Sequence, residues 1–289
     1  MNRKITNLIA LCVLVSFGAN AQINTPQPSP AGSVSSTVGL TDISIDYFRP
    51  KKKGRMVFGS GDQYLEQYGN IWRTGANSGS KLTLSTDVKI GGQDVKAGEY
   101  LIFTKPGASE WRFMLYSDLS IGGNTASYDA SNEVINVAVK PMTISTPVET
   151  LTFNISDISE DNTTANIHFA WDNASFKVPV TVDYDAIVMA DITAKTQVNP
   201  QNYIAAANYY FNTGKDLDKA LEWMNMYLAV GNNSEQFWNV HTKARILAKM
   251  GKKKDAIATA KDSLAKAKAS DRGDFGYIKR NEDLLATLK

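Results

Sequence analysis

The apolar residues of this chain change their spacing partway along. From about residue 33 to 190 they recur at every second position, and from about 199 to 289 at every third or fourth. Side chains alternate faces along a strand and return to one face every 3.6 residues along a helix. Two periods in consecutive blocks therefore demand a sheet-built unit followed by a helix-built unit. At 289 residues the chain has room for both, since domains run roughly 100–200 residues.

In the first block Ile43, Ile45 and Tyr47 alternate with Ser44, Asp46 and Phe48. Leu82 and Leu84, Leu101 and Phe103, the run 110–116, Ile135 to Val139, and Leu151 to Ile155 continue the pattern. Ile167 to Trp171 and Phe176 to Val182 complete it, with Asp172-Asn173 between them as an expected tight hairpin. Gly91-Gly92, Pro106-Gly107 and Gly122-Gly123 punctuate the strands. A short helix is expected at residues 62–68. Eight or nine short strands with one apolar face read as an antiparallel β-sandwich or barrel-like domain.

The second block opens at Asn199-Pro200, a cap followed by the residue favoured at a first helical position. Ile204, Ala207, Tyr210 and Phe211 share one face, and Leu217, Leu221, Met224 and Leu228 the next. Asn233 and Gln236 resemble a capping box ahead of Phe237, Val240, Ala244 and Leu247. Ala256, Ala260, Leu264 and Ala267 follow, and Phe275, Ile278, Leu285 and Leu288 close the block. Tyr210…Gly214…Ala220 recurs as Leu247…Gly251…Ala256. Helix-turn-helix units of about that period are tetratricopeptide-like, though the signature Trp and Pro are missing. The fold class is thus α+β in two modules: the β-sandwich-like domain at 33–190, then a small helical-repeat domain at 191–289.

Ahead of both lies an address. Arg3 and Lys4 precede a mostly apolar run at 5–17, and Ala19-Asn20-Ala21 is a small-x-small cleavage site. Residues 1–21 read as a signal peptide cleaved after Ala21, which places the protein in the periplasm or outside the cell. Residues 22–32, with Pro26, Pro28 and Pro30, read as an extended linker. No other apolar run approaches the ~20 residues of a membrane span. Cleavage removes the single Cys, Cys12, so core burial rather than disulfides must hold the fold.

Charge follows the same division. Residues 22–190 carry 13 Lys+Arg and 18 Asp+Glu, and residues 191–289 carry 16 and 11. A whole-chain charge of +2 argues against a nucleic-acid binder. One Cys and two His exclude a zinc cage, and no metal or cofactor is expected. No P-loop, Gly-x-Ser-x-Gly, His-Glu-x-x-His or dinucleotide fingerprint is present, so the sequence favours a non-catalytic role.

Several segments together resemble a known family. They are residues 36–50, Gly54-Arg55 with Val57-Phe58-Gly59, Ile71-Trp72-Arg73-Thr74-Gly75-Ala76-Asn77, and residues 88–92 with Ala97-Gly98-Glu99-Tyr100. Over about residues 28–184 the chain resembles the bacterial family known as domain of unknown function 2911. The resemblance implies export and a β-rich domain, allows a helical tail, and implies no reaction. Family members often carry Trp-Gly near the position of Leu119 to Gly123, where this chain reads Leu-Ser-Ile-Gly-Gly.

The candidate ligand-binding residues are Trp72, Arg73 and Asn77, with Glu110, Trp111 and Arg49. A guanidinium, an amide and aromatic rings at a Gly-flexed bend suit a sugar or an anionic ligand. The ordinary alternative is that Arg73 and Asn77 pin loop carbonyls. Lys51, Lys52, Lys53 and Arg55 form a cationic loop, read as solvated, as are Lys249 and Lys252 to Lys254. His168 and His241 are expected on the surface and Trp171 in the core. The leading expectation is an exported cell-envelope binding or scaffolding protein whose helical tail meets a protein or peptide partner. A ligand-binding β-domain, and a hydrolase using carboxylates or His168, are the alternatives.

Overall fold

The computed structural model describes residues 25–196, 199 and 201–289. The signal segment with its cleavage site, and Pro200 of the Asn199-Pro200 cap, lie outside the described residues. The chain divides into two compact units, the second beginning at Asp185.

Among the described residues the first unit contains twelve strands: β1 (Ala31–Val38), β2 (Thr41–Phe48), β3 (Met56–Gly59), β4 (Tyr64–Gln67), β5 (Ser80–Leu84), β6 (Val88–Ile90), β7 (Gln93–Val95), β8 (Gly98–Lys105), β9 (Trp111–Tyr116), β10 (Glu133–Val139), β11 (Met142–Ser156) and β12 (Thr164–Val182). They form a six-stranded sheet in the order β1-β2-β5-β8-β9-β10 and a four-stranded sheet in the order β11-β12-β6-β7. Both are antiparallel, and neither closes into a barrel. Their inner faces share one core, with Ile43, Ile45, Leu82 and Phe113 from the first sheet and Leu151, Phe169, Val178 and Val180 from the second. Each such side chain contributes about 1.5–3 kcal/mol by leaving water. The buried Tyr47 hydroxyl accepts the Phe153 N–H at 3.1 Å, a polar tie between the two sheets.

Four details differ from the sequence reading. Residues 62–68 form no helix: β4 pairs in parallel with β3, and Tyr64 lies against Gly59, where a Cβ would meet its ring at 2.3 Å. Asp172-Asn173 is no hairpin, because β12 runs unbroken through it. Asp172 takes φ 51° and the β11–β12 register shifts beside it. Across this irregular stretch the buried set of β12 moves from odd positions (165–171) to even ones (176–182), while the surplus residues of the pairing lie on β11, between Thr143 and Thr152. β1 begins at Ala31, inside the expected linker. The switch to helix falls at Asp185 rather than near 190, where Asp185 supplies an acidic first turn.

The second unit contains α1 (Asp185–Lys195), α2 (Asn202–Thr213), α3 (Leu217–Leu228), α4 (Phe237–Lys249), α5 (Lys253–Lys268) and α6 (Tyr277–Thr287). The sequence repeat is physical. Gly214 (φ 69°) and Gly251 (φ 75°) end α2 and α4 in the left-handed conformation. The next N–H then reaches back identically, Lys215 to Tyr210 O at 3.0 Å and Lys252 to Leu247 O at 2.9 Å, closing a Schellman motif each time. Ala207, Ala244, Ala220 and Ala256 are fully buried where helices meet. The Asn233–Gln236 box is not formed. Asn233 instead donates to Tyr227 O at 3.0 Å, and α4 starts at Phe237 with no side-chain cap. Phe275 stays outside α6 and is 64% exposed.

Candidate functional site

The Trp72–Asn77 segment is a scaffold. Trp72 exchanges backbone hydrogen bonds with Thr104 of β8 at 2.8 and 2.9 Å. Its ring is buried against Phe58 and stacks on Trp171, and its indole N–H reaches Gly75 O at 3.3 Å. Thr74 is fully buried at φ 53°, with Oγ1 3.0 Å from Thr104 Oγ1, and its carbonyl accepts Ser80 Oγ at 2.7 Å. Arg73 Nη1 donates to Asn77 O at 2.7 Å, and Asn77 Nδ2 to Ser29 O at 3.3 Å. Arg73 also faces Glu66 of β4, a half-buried carboxyl whose pKa burial pushes up to about 7 against the pull of Arg73 and Arg55.

The other expected site residues lie elsewhere. Arg49 gives Nε to Leu151 O at 3.1 Å and Nη2 to Thr152 Oγ1 at 3.0 Å. Trp111 is 2% exposed in the aromatic core, 4.7 Å from the Phe58 ring centroid, while Glu110 is exposed beside Arg112. No single pocket gathers all six. The cationic loop is tied down: Lys52 pairs with Asp172, and Arg55 donates to the carbonyls of Lys51 and Lys52. Lys249 Nζ donates to Phe211 O at 3.2 Å. His168 is half-buried, its Nε2 2.9 Å from Ser175 Oγ. Burial, with Lys177 adding to it, lowers its pKa. At 1% exposure Ser175 offers no substrate a nucleophile. His241, expected on the surface, is 6% exposed inside the helical unit.

What the Trp72–Asn77 segment positions is the next pair of residues, Ser78 and Gly79. Gly79 N–H donates to Gly122 O at 2.9 Å. A Cβ on Gly123 would stand 2.5 Å from Gly79 N, so glycine is required where these loops cross. Residues 117–132 form three 3-10 turns, and Asp118, Asn124 and Asp129 each cap one through a side-chain oxygen. This segment covers the outer face of β8 and β9, where Leu101, Phe103, Met114 and Tyr116 form a small second core with Ile121 and Tyr128.

The cover stops short of β1, β2 and β5. At that step lies an open groove of about 780 Å³, within the usual range for small-ligand sites. Phe48, Leu101 and Leu119 give it apolar contact, and Ser33, Asp46, Lys81 and Glu99 its polar wall. Cross-strand register makes that wall: Ser33 lies opposite Asp46, Asp46 opposite Lys81, and Lys81 opposite Leu101. Lys81 Nζ donates to Glu99 Oε1 at 2.6 Å. Asp46 is exposed and makes no side-chain hydrogen bond or ion pair among the described residues. Sequence reading missed these residues because each occupies the solvent position of an alternating strand. The available signal was Phe48 among polar alternates, and the two-sided apolar runs of β8 and β9.

A second groove, of about 360 Å³, lies in the helical unit. Tyr203, Tyr210, Trp223 and Met226 line it, with Lys219 and Glu222 among its walls. Tyr210 meets Trp223 edge-on at 4.9 Å. Lys219 Nζ lies 5.3 Å from the Trp223 ring centroid and bonds Glu222 at 2.8 Å.

Among the described residues, no three His, Cys, Asp or Glu side chains are grouped to hold a metal ion. No helix among them is long and apolar enough to cross a membrane. No curated protein and no solved structure matches the chain. The family model described as "Protein of unknown function (DUF2911)" matches residues 29–180, which span both sheets and the outer-face groove, and the chain belongs to that family.

Proposed function

We propose that this is a non-catalytic binding protein of the cell envelope, exported with its signal peptide removed after Ala21, whose helical unit makes the protein contacts. The aromatic-lined groove of that unit carries the reading. It offers the half-buried rings of Tyr203 and Tyr210 and the exposed Met226 beside a Lys219–Glu222 ion pair. Aromatic and Met surfaces ringed by charge are what protein segments bury on docking. Paired helices of tetratricopeptide-like construction commonly present such concave faces. The closed environment of Ser175 supports binding over hydrolysis.

The test is co-purification from envelope extract with the intact chain and with Met226→Glu. Met226 is 39% exposed, so the charge disturbs the groove and not the core. A protein partner retained by the parent and lost by the variant is expected. No partner, or equal recovery by both, refutes the reading. Mass spectrometry of the exported form should find Gln22 at the N-terminus; a retained Met1 refutes the export reading.

A further inference from the structure

We propose that the outer-face groove of the β-unit binds a short neutral oligosaccharide. Charge narrows the ligand class first. Asp46, Lys81 and Glu99 are its charged side chains, two carboxylates against one ammonium. An anionic ligand meets net repulsion there. A polyamine finds one free carboxylate, Asp46, because Glu99 already bonds Lys81 at 2.6 Å.

A polyol fits what remains. Each hydroxyl both donates and accepts. Neighbouring hydroxyls on a ring therefore match an ammonium and a carboxylate held side by side, one accepting from Lys81 Nζ and the other donating to Glu99. Asp46, without a side-chain partner among the described residues, takes a further hydroxyl, and Ser33 stands opposite it across the β1–β2 ladder. The C–H faces of sugar rings need apolar contact between those polar points, which Phe48 and Leu119 supply, with the buried Leu101 closing the floor behind them.

Size agrees. Ser33, Asp46, Lys81 and Leu101 form a row across four adjacent strands. Three strand spacings make the row ~14 Å long, about the length of a trisaccharide. The groove of about 780 Å³ holds such a ligand with solvent at its open side.

The experiment screens the whole chain on an array of neutral and acidic glycans. It then titrates maltotriose, cellotriose, chitotriose, an acidic galacturonate trimer and spermidine by calorimetry. At least one neutral glycan should bind with a Kd of about 0.1–1 mM, and the acidic trimer at least about tenfold more weakly. Lys81→Ala and Glu99→Gln should each weaken binding about tenfold, with circular dichroism unchanged because both side chains are over a third exposed. The proposal is overturned if no neutral glycan saturates, if either charged probe binds more tightly, or if both variants bind like the parent. Met226→Glu should leave glycan binding intact, so this outcome is separate from that of the helical groove.

Discussion

Asn281 is the residue whose loss should most clearly loosen the helical unit. It sits on α6 at 0% exposure, between His241 of α4 and Ser263 of α5. Its Nδ2 donates to Ser263 Oγ at 2.9 Å and to Tyr277 O at 2.8 Å. Its Oδ1 therefore faces His241 Nδ1 at 2.8 Å, and that ring nitrogen must carry the proton. Ser263 passes the chain on, donating to Phe237 O at 2.8 Å. Asn281→Ala orphans the His241 N–H, takes from Ser263 Oγ the N–H it accepts and leaves a void. At ~1–3 kcal/mol per buried group left unpaired, the cost is about 3 kcal/mol. For a unit of this size that is about 12 °C or more in Tm. The assay is urea and thermal unfolding of the whole chain, followed at 222 nm. Burial first, and then Arg245 and Arg280, hold the His241 pKa below its ordinary value, against the bond to Asn281. As pH falls below about 6.5 the unfolded state takes up the proton first. Helical stability should therefore fall with pH until the folded pKa is passed. Asn281→Asp, which offers the imidazolium a carboxylate, should flatten or reverse that slope. A loss below about 0.5 kcal/mol for Asn281→Ala, with the pH slope unchanged in Asn281→Asp, would refute a coupled buried network.

Gly123→Ala sets a Cβ 2.5 Å from a backbone nitrogen at φ 87°. It should cost about 2–3 kcal/mol in chemical denaturation and abolish glycan binding; a neutral effect would mean the loop crossing is loose. Glu66 has its pKa raised to about 7, so the folded state binds the extra proton and stability is lost as pH rises from about 4.5 through 7. Glu66→Gln should accordingly raise Tm at pH 8 and change it little at pH 5, an increase of about 1 kcal/mol after solvent screening. Trp171 Nε1 is buried with no hydrogen-bond partner among the described residues. Trp171→Phe should therefore cost about 1 kcal/mol less than Trp72→Phe, which forfeits the bond to Gly75; equal losses would argue against an orphaned indole.

Alternation announced the inner faces. Ile43, Ile45, Leu82 and Leu84 are buried where period two puts them, because that spacing is local chemistry. The irregularity at Asp172 was not legible. A change of buried parity makes a continuous strand read as two, and only the partner strand shows that the chain does not turn back. Glu66 and its neighbours failed for a related reason, since the parallel pairing of β3 with β4 is a tertiary fact. α1 escaped because none of its residues is buried and its faces carry little periodic signal. The repeat in α2 to α5 was legible because helix ends leave glycine at a fixed place. The β-unit groove was legible only in its parts: Asp46, Lys81 and Glu99 are ordinary surface residues until register sets them side by side.

The turns over β8 and β9 close on themselves through Asp118, Asn124 and Asp129, and meet the sheet through Tyr128 and Tyr116. Residues 117 and 132 are joined at the base by a backbone bond of 3.0 Å. Outside the Gly122–Gly123 crossing, which holds Gly79, the segment is thus an exchangeable patch: its length and composition can drift over generations without re-registering a single strand. Divergence among relatives should concentrate there, with the framework inherited intact and the wall above Leu101 rewritten.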